Sequence, residues 1–132
     1  MADIILPQII VDMEPVTWGS KIDRERRNEF SNKLLEAIRE QLPNYNLSML
    51  RAVLAEGFVS IKLDFYLSKK HFDRAAKNEH KNIDNLCKIP IDSIYENIVG
   101  DIKKDWLVNE IIARKHQSDL KQYVVVEIAR SA

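Results

Sequence analysis

The run FVSIKLDFYL, residues 58–67, sets Val59, Ile61, Leu63, Phe65 and Leu67 in strict alternation with Ser60, Lys62, Asp64 and Tyr66. A period of two is the pleat of a β-strand, here with one face buried and the other wet. Such a strand needs hydrogen-bonding neighbours along its edges and an apolar layer against its buried face. Two helical patterns offer that layer. Residues 23–42 repeat Phe30, Leu34, Ile38 and Leu42 every fourth position, with Ala37 beside them and charges elsewhere. This predicts an amphipathic helix with Asp23 as N-cap and Pro43 as stop. Residues 84–99 place Leu86, Cys87, Ile91, Ile94, Tyr95 and Ile98 on one side and end at Gly100. Pro90 inside this run lacks a backbone donor, so the pattern predicts a kink or a helix starting near Ile89.

Three further strands are expected. One covers residues 9–13, interrupted upstream by Pro7. The others, 106–115 and 121–129, are joined by a polar turn at 116–119 and read most simply as a hairpin, with Val124, Val126 and Ile128 as its apolar face. A short helix over 48–56, with Leu50, Val53 and Leu54 inward, closes at Gly57. At 132 residues the chain is long enough for one core but not two. The expectation is a single α+β domain spanning residues 1–132, a mixed β-sheet of about four strands packed against two main helices.

Lys plus Arg and Asp plus Glu both total 20, so no global positive field draws nucleic acid, and any such affinity must be local. With three glycines and no glycine-rich loop, a nucleotide-binding fold is not expected. Cys87 is the one cysteine, which excludes an internal disulfide and a Cys-rich zinc site; among apolar neighbours it reads as a packing residue. The N-terminal MADIILPQIIVDMEP has no basic region and carries acids and a proline. It is neither signal peptide nor membrane span, and a cytoplasmic protein is expected.

The locally basic stretch is SKKHFDRAAKNEHK, residues 68–81, where Lys69, Lys70, Arg74, Lys77 and Lys81 outnumber Asp73 and Glu79. Its histidines, His71 and His80, have no Cys or nearby acid at ligand spacing. It is either a solvated excursion or a DNA-contacting loop, since phosphate contacts position a duplex. Arg24, Arg26 and Arg27 alternate with Asp23, Glu25 and Glu29 and read as a solvated helix face. Trp18 reads as a lid on the core.

Asp84, Lys88 and Asp92 recur at four-residue steps and share one stripe of a helix, and Asp105 opens the next strand-like run. Asp84 and Asn85 serve equally well as capping residues, with Lys88 a solvated partner. Alternatively, the acids converge at one end of the sheet. The order Asp84-Asn85-Leu86, Lys88, Asp92, Asp105, apolar strand, Lys115 resembles the RusA-like Holliday junction resolvases over about residues 82–115. In that family a D-x-D-N-L-x-K segment opens a helix carrying a further Asp, and a D-D pair precedes the next strand. Pro15 and Lys21 loosely match a Pro and basic residues near the family's active end.

The resemblance implies a magnesium-dependent, structure-selective endonuclease that resolves four-way DNA junctions in recombination and repair, acting as a homodimer with no membrane association. It implies metal ligation by Asp84 and Asp105, with Asn82 contributing a carbonyl oxygen or holding a metal-bound water. Mg²⁺ keeps several waters, so two protein carboxylates suffice to bind it. Lys88 is the implied catalytic cation, set to stabilise charge on the phosphate, and Lys69, Lys70, Arg74, Lys77 and Lys81 are the expected DNA contacts. Two positions depart from the pattern: Asn82 stands where the family has its first acid, and Lys104 where it has the first of the pair. The family's Pro directly after the Lys is displaced to Pro90. Asn82 supplies no negative charge, and Lys104 either competes with metal for Asp105 or binds phosphate. The alternative is therefore a junction-binding module with weakened or lost cleavage.

Overall fold

The computed structural model describes residues 3–17, 22–72 and 81–131; Trp18, Lys21, Arg74, Lys77 and His80 lie outside them. In order come β1 (Asp3–Val11), α1 (Asp23–Gln41), α2 (Leu47–Glu56), β2 (Val59–Leu67), the single turn α3 (Lys69–Phe72) and α4 (Ile83–Ser93). A π-helical segment (Ile94–Val99), a 3-10 segment (Ile102–Leu107), β3 (Val108–Gln117) and β4 (Tyr123–Arg130) follow. The described strands form one mixed four-stranded sheet, so the chain is the expected α+β domain.

Sheet order is β1-β4-β2-β3. β2 pairs with β3 in parallel and with β4 antiparallel, while β1 pairs antiparallel with β4. The expected β3–β4 hairpin does not form. β2 is buried along nearly its whole length, Ser60 and Asp64 included, so it takes the centre and its second face is not the wet one expected. Its flanks are filled from both sides. The helices of residues 69–107 supply the long crossover that a parallel pair needs. Residues 118–122 then step over the end of β2, held by Ser118 N–H on Leu67 O (2.8 Å) and Ser68 N–H on Gln122 Oε1 (3.0 Å).

β1 is longer than the expected 9–13 because Pro7 is accommodated where the register to β4 slips between Leu6 and Ile9. A proline missing its donor is tolerated at such an irregularity on an edge strand. The Gln41 amide reaches the same edge, accepting from Ile10 N–H (3.0 Å) and donating to Ile10 O (2.8 Å). α1 is capped by the backbone of Ile22, with Asp23 one position inside, in the first turn where its charge suits the helix dipole. α2 is capped by Asn46, whose side chain accepts from Met49 N–H at 3.1 Å.

Phe30 and Leu34 of α1, Leu50 and Leu54 of α2, and Leu86 and Ile89 of α4 share one core with Ile61, Leu63, Phe65 and Leu67 of β2. Cys87 is buried beside it, and burial, reinforced by Asp84, pushes its thiol up to about 11, which makes it the packing residue expected. Among the described residues, no helix is long and apolar enough to cross a membrane.

Candidate acidic site on helix α4

α4 starts at Ile83, not near Ile89, and runs through Pro90 into the π-helical segment. Leu86 O cannot be bonded by Pro90, which has no N–H. Four residues on, the helix widens to π geometry, the local adjustment that a break in the ladder invites. The run ends at Gly100, whose φ of 91° is left-handed; its N–H and that of Asp101 both reach Tyr95 O, at 3.0 and 2.9 Å.

The helix presents Asp84, Lys88, Asp92 and Glu96 along one stripe. Asp84, exposed in the first turn, accepts from Asn85 N–H at 2.9 Å and acts electrostatically on Cys87. Asn82 is the exposed N-cap by backbone conformation and makes no side-chain cap bond. Asp105 lies in the 3-10 segment, three residues before β3, and does not open the strand as expected. It meets the stripe lower down, its charge acting on Asp92 and Tyr95. Asp92 is about 12 Å from Asp84 along the helix axis, at ~1.5 Å per residue.

Asp92 is the focus of the charges. Burial raises its carboxyl above the ordinary value; Arg27 and Lys88 pull it down, while Asp105 and Glu96 push it further up. Arg27 comes from α1 and is not part of a solvated face. Its side chain is 17 % exposed, its Nε donates to Glu96 Oε2 at 2.5 Å, and its carbonyl accepts from Ser93 Oγ at 2.7 Å. Arg26 does behave as expected, paired with Glu29 on the open side of the helix. Lys104 sends its ammonium to Ala55 O (3.1 Å) at the end of α2, so the cation expected to compete for Asp105 or bind phosphate is engaged by a helix C-terminus.

Tyr95 is fully buried and its hydroxyl has no hydrogen-bond partner among the described residues. Burial, with Asp105 adding to it, pushes the phenol up to about 12. An unpaired buried hydroxyl beside a carboxylate suits a site that takes up water or a hydrated cation. Asp105 acts electrostatically on Asp92, and carboxylates of this kind are the oxygen donors magnesium takes, with waters completing its shell. Among the described residues no group of three or more His, Cys, Asp or Glu side chains is arranged to hold a metal.

The basic end is divided. Lys69 and Lys70 are exposed on α3. Lys81 is turned inward: its Nζ donates to Pro15 O (2.7 Å) and meets Glu14 Oε1 (3.4 Å), and desolvation lowers its pKa against the pull of Glu14. Glu14 also takes Gln122 Nε2 (3.3 Å) and faces His71 (3.3 Å). Lys115 donates to Phe72 O (3.3 Å) and lies over the Phe72 ring.

Glu96 and Tyr95 join the site without having been assigned to it from the sequence, although the four-residue stripe was a signal for Glu96; Arg27 joins it from what was read as a solvated helix face. A second polar cluster was equally hidden. On the β2 face opposite the helices, His116 Nε2 donates to buried Asp64 at 2.7 Å, and Tyr66 is stacked between His116 and Tyr123. A scan against protein-family models and a search of curated proteins both return no match for the chain.

Proposed function

We propose that the chain is a magnesium-dependent, structure-selective DNA endonuclease that resolves four-way junctions. The observation that carries this reading is that Lys88, on the same stripe, and Asp105, from the 3-10 segment, both act electrostatically on Asp92, and Asp105 also on buried Tyr95, whose hydroxyl has no hydrogen-bond partner among the described residues. The resemblance of residues 82–115 to RusA-like resolvases supplies the substrate. Asp105 with Asp92 would hold the cation; Asp84 and Asn82, which the resemblance implies as ligands, lie at the helix start, about 12 Å from Asp92 in the case of Asp84, and would not share it. Bound there, magnesium supplies an activated water and compensates charge on the phosphate. Lys88 stabilises the negative charge that builds on the phosphate oxygens. Arg27 holds Glu96 and, through its charge, keeps Asp92 easier to ionise than burial alone would allow. Two matched cuts call for two matched sites, hence a homodimer.

A second reading, junction binding without efficient cleavage, is favoured by Asn82 and by the missing third carboxylate among the described residues. The two separate in an assay on a synthetic four-way junction with magnesium. Under the first, the natural protein cleaves, and Asp105→Asn or Asp92→Asn lowers the rate by about 100-fold or more, the scale of losing a transition-state contact. Under the second, the natural protein binds but does not cut, and Asn82→Asp introduces activity. Neither junction preference nor cleavage would remove both.

A further inference from the structure

Trp106 follows Asp105 directly and is 66 % exposed, its ring edge-to-face with Phe58, itself 49 % exposed, at 5.7 Å. A tryptophan left this open forgoes a large burial gain. The local backbone holds it out. In a 3-10 segment successive side chains diverge by about 120°, and residues three apart eclipse. Asp105, whose charge acts on Asp92 and Tyr95, and buried Leu107 take two of these directions, and Trp106 is left facing solvent. The first half of the segment is fixed by Asp101 accepting from Lys103 N–H (3.1 Å) and by Lys104 on Ala55 O (3.1 Å). Phe58 is fixed as well, its carbonyl accepting from Ser131 N–H (2.9 Å). The same eclipsing puts exposed Lys103 on the Trp106 side.

An aromatic face with a cation alongside, one residue from a carboxylate of the candidate site, matches a nucleotide in single-stranded form: the base stacks and its phosphate meets the ammonium. We propose that Trp106, braced by Phe58 and accompanied by Lys103, is a stacking platform for an unpaired DNA base beside the acidic site. This rests on the nuclease reading for its substrate. A branch point is where a junction offers a base that is readily unstacked, so the platform gives the chain a means of preferring branched over linear duplex DNA.

The experiment uses the full chain and a four-way junction carrying 2-aminopurine at the branch point, with affinity and probe emission followed together. The natural protein is expected to change the emission on binding. Trp106→Ala should abolish that change and weaken junction binding about tenfold or more, whereas Trp106→Phe stays within about threefold because it keeps an aromatic face. Lys103→Ala should reduce the salt slope by about one unit, and Trp106→Ala should leave it unchanged. Thermal melting of Trp106→Ala should match the natural protein, since the ring is exposed. Equal affinity and emission for Trp106→Ala and the natural chain overturn the proposal. So does a loss of self-association in place of DNA binding, which assigns the ring to a contact between copies. Trp106-dependent binding without cleavage keeps the platform and removes the nuclease reading; cleavage with Trp106-independent binding does the reverse.

Discussion

Burial with no partner at Tyr95, and burial among mixed charges at Asp92, are the two residue-scale features from which measurable consequences follow. Leaving a buried hydroxyl unsatisfied costs free energy, so Tyr95→Phe should raise stability by about 1 kcal/mol in chemical denaturation and, under the proposed nuclease reading, slow cleavage. Unchanged stability would mean that the hydroxyl has a partner in solution. Asp92 is raised above 3.8, chiefly by burial, so the folded chain holds that proton more tightly than the unfolded one. Its contribution to stability is full below 3.8 and is lost as the pH rises through the raised value. Glu14 is the opposite case: burial is the largest single influence and would raise it, but Lys81, Gln122 and His71 together outweigh burial and lower it, so its contribution is present above 4.5 and is lost as the pH falls through the lowered value. Melting temperatures followed between acid and neutral pH should show Asp92→Asn flattening the decline toward neutrality and Glu14→Gln flattening the decline toward acid. At Asp64, loss of its donor leaves a buried carboxylate unsatisfied, and His116→Ala should cost about 1 to 3 kcal/mol. That pairing was not legible in the sequence, because it depends on His116 lying beside Tyr66 in a parallel register that the turn-like segment after it disguises as a hairpin.

Among the elements, those whose hydrophobic period is unbroken were read correctly: β2, α1 and α2 fall within a residue or two of their expected bounds. The helix of 84–99 was also read in its bounds, running from Ile83 to Val99 and closing at Gly100; what was missed lies where backbone chemistry overrides the period. Pro90 leaves the α4 start intact and is followed by a π-helical segment, and the 3-10 segment takes Asp105 and Trp106 from what looked like the opening of β3. Both irregular segments matter to the site, since they set where Asp105 meets Asp92 and Tyr95. Gly100 joins them with φ at 91° and nothing within 4 Å of where a Cβ would sit. Gly100→Ala should therefore cost about 1 to 2 kcal/mol from backbone strain alone. Any loss of cleavage beyond that expected from partial unfolding would report displacement of Asp105. Full activity with full stability would show that the junction tolerates another conformation.

For the molecule as a whole, equal numbers of acidic and basic residues leave no net charge to draw DNA from a distance, so the DNA binding proposed above would be carried by a few placed cations. Lys81, expected among them, is engaged with Glu14 and Pro15, which leaves Lys69 and Lys70 as the exposed members of that set within the described residues. They sit on the turn that follows the central strand, bound to the sheet through α3, so their placement is that of the fold and not of a free tail. Each phosphate neutralised releases counterions and adds about 0.9 to the slope of log affinity against log salt. Replacing Lys69 and Lys70 together with alanine should thus weaken junction binding at low salt and flatten the slope by about two units. A Lys81→Ala chain should differ in kind: it loses stability, because Glu14 and Pro15 O lose a charged donor, while its salt slope stays that of the natural protein. If instead the slope follows Lys81 and ignores Lys69 and Lys70, the inward contacts open on binding and the basic end is organised differently in the complex.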